Sequence, residues 1–223
     1  MRAQSHSDLQ PKVIRTSVVL LAALVLACVS AQSHSDLQPK VIRTSGAQSH
    51  SDLQPVSIRT SWLLECETNL GTAFPYAVVD GEVLFLTARH VIDMASENAT
   101  WSLRHGDVIV CQPRIIRIHP VLDAAVVSVA WPDLIPIPEL LELRFDRPSF
   151  GDRVTMEGFG HGLRWISDGR MASPGRASLM AFPGDSGAPV RDERGRVIGI
   201  LVAVGPGKHH SWIVPMSALL GWV

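Results

Sequence analysis

From Trp62 onward, the chain consists of short apolar runs separated by turn-forming residues. The dipeptide Asp80-Gly81 lies between the first two of these runs, and in that position it indicates a β-hairpin. Long helical periodicity is scarce, and the stretches most typical of a helical turn are HVIDMA and the terminal MSALLGWV. Many short strands at this spacing predict an all-β sandwich or barrel. Residues 62–223 are enough for two small barrels.

An apolar segment, VVLLAALVLACV at 18–29, follows a basic flank. It is too short to span a bilayer comfortably, which takes about 20 residues. Small residues follow at 29–31, so we predict that residues 1–30 are a secretory signal, with a retained membrane anchor as the alternative. Either places the protein outside the cytoplasm, secreted or membrane-anchored. The stretch VLAC also resembles a bacterial lipoprotein box, with Cys28 as the lipidated residue.

The N-terminal region carries a repeated segment. AQSHSDLQPKVIRTS occurs at 3–17 and again at 31–45, and a third copy at 47–61 differs at two positions. Each copy is too short and too polar to bury a face, which excludes a solenoid. We therefore predict that residues 31–61 form a flexible tail, whose histidines we do not expect to bind a ligand.

Charge and cysteine content exclude several classes of protein. The formal net charge is −1, which gives no electrostatic attraction to nucleic acid. Beyond Cys28 only Cys66 and Cys111 remain, so a disulfide scaffold is excluded; we expect both to be free and buried, with a single disulfide as the alternative. The sequence contains no CxxC motif and no Cys/His cluster of the kind that indicates a zinc site. His209-His210 has no third ligand and should lie in a solvated loop, so no metal or cofactor is expected.

The segment AFPGDSGAPV at 181–190 places a serine between two glycines. A serine becomes a nucleophile only with a base in hydrogen-bond reach, and the reaction also needs donors for the oxyanion. Glycine lets the backbone turn sharply, so the amides of Gly184 and Ser186 could face one pocket. Taken alone, the segment also fits a surface turn.

Two further segments supply the missing groups. LFLTARHVID ends an apolar strand and then presents His90, while DAAVVSVA begins an apolar run with Asp123. A carboxylate at the start of a strand can orient an imidazole and stabilise its protonated form. His119, four residues earlier, should be a structural neighbour of Asp123. The alternatives for the acid are Asp93 and Asp107.

These motifs resemble a known family. TARH, HPVLDAAVV and GDSGAP are similar to the three catalytic motifs of chymotrypsin-fold serine proteases, and they occur in the chymotrypsin order, His, Asp, Ser. The resemblance covers residues 62–223. It implies two perpendicular six-stranded antiparallel β-barrels, about 62–131 and about 145–223, with a cleft between them and a short C-terminal helix.

The resemblance also implies a role for each site residue. His90 would act as general base and then acid, Asp123 would orient it, and Ser186 would attack the scissile carbonyl. The amides of Gly184 and Ser186 would form the oxyanion hole. The implied activity is a serine endopeptidase acting on a protein or peptide substrate.

Among members of the family, the layout is closest to the compact HtrA-like and viral proteases. No PDZ-sized segment follows Val223, so we expect the protease domain only. No Arg-Ile-Val-Gly-Gly activation sequence occurs. Trypsin zymogens use a freed N-terminus to pair with the acid before the serine. Asp185 has no obvious partner of that kind, so we expect a site that forms without proteolytic activation.

The same resemblance locates the specificity pocket. Met180 stands at the base of the S1 pocket, and Val202 and Val204 lie in the strand that lines it. Methionine offers apolar, deformable contact, and Val204 would narrow the entrance. The expected P1 residue is therefore small or medium and apolar. His161 is a further candidate for contact with the substrate cleft.

Two other functions remain as alternatives. A catalytically silent protease fold could serve as a binding module, although intact Ser, His and Asp argue against it. A viral polyprotein-processing protease would keep the chemistry and use residues 18–29 as a membrane tether. The sequence does not reveal the oligomeric state.

Overall fold

The structure, a computed structural model, describes residues 41–43, 60–95, 99–206 and 209–223. All of them belong to one structural unit, residues 38–223. In chain order, eight strands precede the middle of this unit and six follow it.

The first eight strands form one antiparallel sheet with the order β1-β6-β5-β2-β3-β4-β8-β7. A one-turn helix, α1 at Arg89–Asp93, connects β4 to β5. The strands are β1 Val41–Arg43, β2 Trp62–Glu65, β3 Leu70–Val79, β4 Glu82–Thr87, β5 Ser102–His105, β6 Val108–Cys111, β7 Arg114–Ile118 and β8 Ala125–Ala130.

The last six strands form a closed barrel with the order β10-β11-β14-β13-β12-β9. The 3-10 turns Gly160–Gly162 and Met216–Ala218 accompany it. The strands are β9 Arg153–Gly158, β10 Trp165–Ser173, β11 Arg176–Ala177, β12 Pro189–Arg191, β13 Val197–Val204 and β14 Ser211–Pro215.

The predicted fold class is confirmed, because a closed six-stranded barrel and a half-barrel sheet together match the two-barrel chymotrypsin fold. The first sheet runs from β1 to β7 without pairing of these two edge strands, so it is not a closed barrel. All residues of β7 are exposed. The expected C-terminal helix is a single 3-10 turn, anchored by the buried side chains of Met216 and Leu219.

The hairpin predicted at Asp80-Gly81 is confirmed. Val79 pairs with Glu82 across the turn, and both turn residues have positive φ, 50° for Asp80 and 80° for Gly81. A two-residue turn with this backbone matches the right-handed twist of the strands it joins.

Three apolar clusters form the core. One lies within the N-terminal sheet and one within the C-terminal barrel. The third contains buried residues from both halves, including Phe74, Leu86, Ile200 and Val214. This shared cluster packs the two halves against each other and thereby sets the distance between their loops.

At two places the chain departs from the predicted flexible tail. Val41–Arg43 forms β1, which pairs with β6 in the register Val41↔Val110 and gives that strand a second neighbour. An unpaired strand edge readily accepts such pairing. Ser61 is buried and its hydroxyl donates to the Glu157 carbonyl at 2.8 Å.

Residues 1–40 and 44–59 lie outside the described residues. The signal or anchor at 18–29 and the extracytoplasmic location therefore stay predictions. Within the described part of the chain, none of the helices has the length and apolar character needed to cross a bilayer.

Candidate active site

His90 lies in the first turn of α1, directly after β4. Ala88 is still extended, and the turn then begins at Arg89. Val91 and Ile92 are buried in the N-terminal core, which directs the half-buried His90 side chain away from that core.

Asp123 lies at the end of a tight loop before β8. The His119 amide donates to the Ala124 carbonyl at 2.9 Å. The His119 Nδ1 atom accepts hydrogen bonds from the amides of Val121 and Leu122 at 3.1 and 2.8 Å. His119 therefore fixes the loop that presents Asp123, as expected of a structural neighbour.

The structure brings His90, Asp123 and Ser186 together. His90 Nδ1 lies 2.7 Å from Asp123 Oδ2, and His90 Nε2 lies 2.8 Å from Ser186 Oγ. The His90 backbone amide also donates to Asp123 Oδ1 at 2.9 Å. Burial alone would raise the pKa of Asp123, but the hydrogen bonds from the His90 side chain and backbone outweigh it and hold that pKa below its ordinary value.

The other two acids considered for this place lie elsewhere. Asp93 forms an exposed ion pair with Arg89 at 2.7 Å, and Asp107 is exposed in the turn between β5 and β6. His209 and His210 are exposed as well, and among the described residues no group of three His, Cys, Asp or Glu side chains could hold a metal ion.

The loop that carries Ser186 is held in place by hydrogen bonds that its carbonyl groups accept. The carbonyls of residues 183–186 each accept a hydrogen bond from the protein. The donors are the amide of His161 to Pro183, the hydroxyl of Thr72 to Gly184, the amide of Ala188 to Asp185 and the amide of Thr72 to Ser186.

These bonds decide where two amides of the loop point. In a trans peptide the carbonyl oxygen and the amide hydrogen point in opposite directions. Because His161 binds the Pro183 carbonyl at 2.7 Å, the Gly184 amide points away from His161. The Asp185 carbonyl is bound by Ala188 at 2.9 Å, so the Ser186 amide points away from Ala188. Within the described residues, neither of these two amides has a protein acceptor.

Two glycines make this loop possible. Gly184 and Gly187 have φ of +103° and +91°, which side chains rarely adopt. A Cβ on Gly184 would lie 2.3 Å from the Phe159 carbonyl, and one on Gly187 would lie 2.0 Å from the Thr72 carbonyl. Both glycines are therefore required by conformation and by space.

Thr72 is a part of the site that the sequence analysis missed. It lies on β3 and is fully buried. Its hydroxyl donates to the Gly184 carbonyl at 2.8 Å and accepts from the Phe159 amide at 3.1 Å, while the Thr87 hydroxyl donates to its carbonyl. The only signal in the sequence is a hydroxyl residue at the start of an apolar strand.

Replacing Thr72 by valine should destabilise the protein by about 2–6 kcal/mol, because it leaves the buried Gly184 carbonyl and Phe159 amide without partners at about 1–3 kcal/mol each. Urea unfolding measures this loss. Thr72→Ser keeps the hydroxyl and should lose clearly less. Equal stability of the valine variant and the wild type would show that Thr72 does not hold the loop.

A cleft of about 530 Å³ lies beside His90 and Ser186. Its wall includes residues 65–70, His161 and Gly184, so His161 does face the cleft. Cys66 lies in this wall as a free thiol, but it is half-buried rather than buried as expected. The side chain of Cys111 is outside the described residues.

The three residues predicted for the specificity pocket do not line this cleft. Met180 and Val204 are partly exposed, 39% and 38% of their surface, and Val202 packs on the core. Their role in substrate binding stays a prediction.

A family model described as a trypsin-like peptidase domain matches residues 71–200. The chain belongs to the trypsin-like peptidase family. The match spans more than half of the chain and includes all three residues of the His90–Asp123–Ser186 group. As a member of this family the chain is a trypsin-like serine protease, and its substrates are proteins or peptides.

Solved structures share the fold of this protease. A serine endoprotease from Yersinia pestis superposes with a TM-score of 0.61 at 16% identity, over 73% of this chain and 60% of that chain. A serine-to-alanine mutant of Rv3671c from M. tuberculosis H37Rv, in its inactive form, gives 0.60 at 18% identity, over 73% and 84%. Deg5 gives 0.58 at 16% identity, over 74% and 87%. No curated protein sequence gives a significant match.

Proposed function

We propose that this protease is a serine endopeptidase in which Ser186, His90 and Asp123 form the catalytic triad. The observation that carries the proposal is a pair of hydrogen bonds that links the three side chains. Asp123 Oδ2 lies 2.7 Å from His90 Nδ1, and His90 Nε2 lies 2.8 Å from Ser186 Oγ. A nucleophile and a base at this separation, with the base oriented by a third group, is the arrangement that activates a serine.

The proposed reaction begins when Ser186 Oγ attacks the scissile carbonyl carbon. His90 Nε2 takes the hydroxyl proton, and Asp123 stabilises the imidazolium because its lowered pKa keeps it ionised. The proton then passes from His90 to the leaving amine, the C–N bond breaks and an acyl ester remains on Ser186. Water, deprotonated by His90, hydrolyses the ester.

The tetrahedral intermediate carries a negative oxygen that needs donors. The amides of Gly184 and Ser186 suit this role, since no acceptor among the described residues occupies them and the carbonyls of their loop are fixed. Donors that are already oriented need no reorganisation during the reaction. We therefore assign them as the oxyanion hole.

Phosphonylation of the nucleophile tests the proposal. A fluorophosphonate probe should label the wild-type protein on Ser186 Oγ, with release of fluoride, and peptide mapping should locate the adduct. A folded wild-type protein that stays unlabelled would instead favour the alternative of a catalytically silent binding module.

For the P1 residue we propose a small or medium apolar side chain. Val204 pairs with Ser211 across β13 and β14, and the Ser211 hydroxyl donates to the Leu179 carbonyl at 2.9 Å. These bonds tie Val204 to the segment that carries Met180. The Gly187 amide donates to the Leu201 carbonyl at 2.7 Å, which places the same strand next to the serine loop.

A peptide library profiled by mass spectrometry should show cleavage after small or medium apolar residues, because methionine and valine offer no charge to Lys or Arg. Met180→Asp should shift the preference toward Lys and Arg at P1. Met94→Asp, which adds the same charge to the wall of the cleft that Met180 does not line, should leave P1 unchanged. A wild-type profile dominated by Lys or Arg would refute the assignment.

A further inference from the structure

Asp185, the residue before the nucleophile, is fully buried. The indole Nε1–H of Trp165 donates to both of its oxygens, at 2.8 Å to Oδ1 and 2.9 Å to Oδ2. The Phe182 amide donates to Oδ2 at 2.8 Å, and the Gly160 backbone also hydrogen-bonds the carboxylate. All of these donors are neutral.

Burial raises the pKa of Asp185, while the hydrogen bonds from Phe182, Trp165 and Gly160 lower it without cancelling that effect. A protonated His161 would also favour the ionised form, as the smallest of these influences. The indole is the side-chain donor that stabilises this carboxylate. Its loss would leave a buried charge with fewer partners, which is costly.

The neighbouring glycines make room for the contact. A Cβ on Gly158 would lie 2.4 Å from Asp185 Oδ1, and one on Gly160 would lie 2.9 Å from Trp165 Nε1. The Gly-Phe-Gly sequence therefore keeps the space in which the indole and the carboxylate meet.

Residues 160–165 contact the serine loop in two further ways. The His161 amide binds the Pro183 carbonyl at 2.7 Å, with His161 itself at a φ of 54°. The ring of Phe182 packs between two others, 4.9 Å from Trp165 and 5.4 Å from His161 between centroids. The segment that carries the indole therefore contacts the serine loop at three points: the Pro183 carbonyl, the Asp185 carboxylate and the Phe182 ring.

We propose that Trp165 is a positioning residue whose indole N–H holds Asp185 and thereby keeps the Gly184 and Ser186 amides directed at the reaction site. In zymogen proteases a freed N-terminus binds the acid at this place. Here a neutral donor from β10 does so, which allows the site to form without an activating cleavage. The inference rests on the proposed function, because it assigns these amides to the oxyanion.

The test removes the donor and keeps the shape. Trp165 is replaced by 3-benzothienylalanine, in which sulfur takes the place of the indole N–H, and Trp165→Phe serves as a second variant. Loss of a whole oxyanion donor costs about 10²–10³ in kcat, so loosening the loop should lower kcat by about 10- to 100-fold. KM should change less than about threefold, since the amides act mainly on the transition state.

The matched control is Trp131→Phe. The Trp131 indole also donates a hydrogen bond, to the Ile135 carbonyl at 3.0 Å, but it packs against the apolar core of the N-terminal sheet. This variant should keep wild-type kcat. If the benzothienyl protein keeps kcat within twofold of the wild type, or if its loss appears in KM alone, the proposal is wrong.

A spectroscopic test does not depend on activity, and Trp165→Phe identifies the Trp165 signal by its loss. In wild-type protein labelled with 15N-tryptophan, the Trp165 indole proton should resonate downfield and exchange slowly. As the pH falls it should move upfield when Asp185 gains its proton, with a midpoint above the ordinary value of 3.8 because burial raises the pKa of Asp185. A Trp165 indole that exchanges freely or does not titrate would overturn the proposal.

The rate of fluorophosphonate labelling and the indole spectrum together distinguish failure of this inference from failure of the proposed function. A wild type that reacts with the fluorophosphonate while the benzothienyl protein reacts at the same rate refutes the role of Trp165 and leaves the proposed function intact. A wild type that does not react refutes the proposed function, and the indole spectrum then decides whether Trp165 holds Asp185.

Discussion

Replacing Ser186 by alanine should lower kcat by about 10⁶, the size of effect seen when the nucleophile of a serine protease triad is removed. The physical reason is that no covalent acyl intermediate can form without Oγ, while the Gly184 and Ser186 amides and the cleft remain. KM should therefore change far less than kcat. Turnover of a peptide substrate measures the loss, and the fluorophosphonate should no longer label the protein.

Two further variants sharpen this test. Ser149→Ala removes a serine hydroxyl from an exposed loop before β9 and should change neither turnover nor labelling. The double variant Ser186→Ala with His90→Ala should be no slower than Ser186→Ala alone, because the residues of the proposed triad would act as a unit. Substantial turnover by Ser186→Ala would assign the chemistry to another residue.

Replacing Asp123 by asparagine should lower kcat by about 10⁴, as loss of the correct imidazole tautomer does in this type of site. Both oxygens of Asp123 bind the same residue, Oδ1 the His90 amide at 2.9 Å and Oδ2 the His90 Nδ1 at 2.7 Å. A backbone amide can only donate, so the asparagine oxygen must take the Oδ1 position. Its NH₂ group then faces Nδ1 and donates to it.

That donation forces the proton of neutral His90 onto Nε2, the atom that must accept the Ser186 proton. The variant should therefore bind substrate normally and fail in the chemical step, which the dependence of rate on substrate concentration can show. Asp93→Asn is the matched control, because Asp93 is an exposed carboxylate three residues after His90 whose partner among the described residues is Arg89. A loss below tenfold for Asp123→Asn would mean that Asp123 does not set the tautomer.

Much of the fold could be predicted because its signals are local. The Asp80-Gly81 turn needs two residues with positive φ, which a dipeptide specifies by itself. Apolar runs of strand length and the scarcity of helical periodicity were sufficient for an all-β chain. The trypsin-like motifs around His90, Asp123 and Ser186 then indicated which residues to expect in one cleft.

Residues that act through distant contacts escaped prediction. Thr72 lies 112 residues from Gly184 in sequence and Trp165 lies 20 from Asp185, yet each donates a hydrogen bond there. A buried threonine or a tryptophan on a strand looks like ordinary core in the sequence. The pairing of Val41–Arg43 with β6 was missed for a related reason, since a short polar repeat gives no sign of the strand edge that accepts it.

The sequence by itself determined which groups to propose for the chemistry, their order along the chain and the turns and strands that hold them, because backbone preference and side-chain alternation are encoded residue by residue. The tertiary structure decided that an imidazole and a hydroxyl 96 residues apart lie at 2.8 Å. It also decided which buried partners hold the serine loop. Those distances depend on strand register, on closure of the barrel and on the apolar cluster shared by the two halves, and no local pattern specifies how these combine.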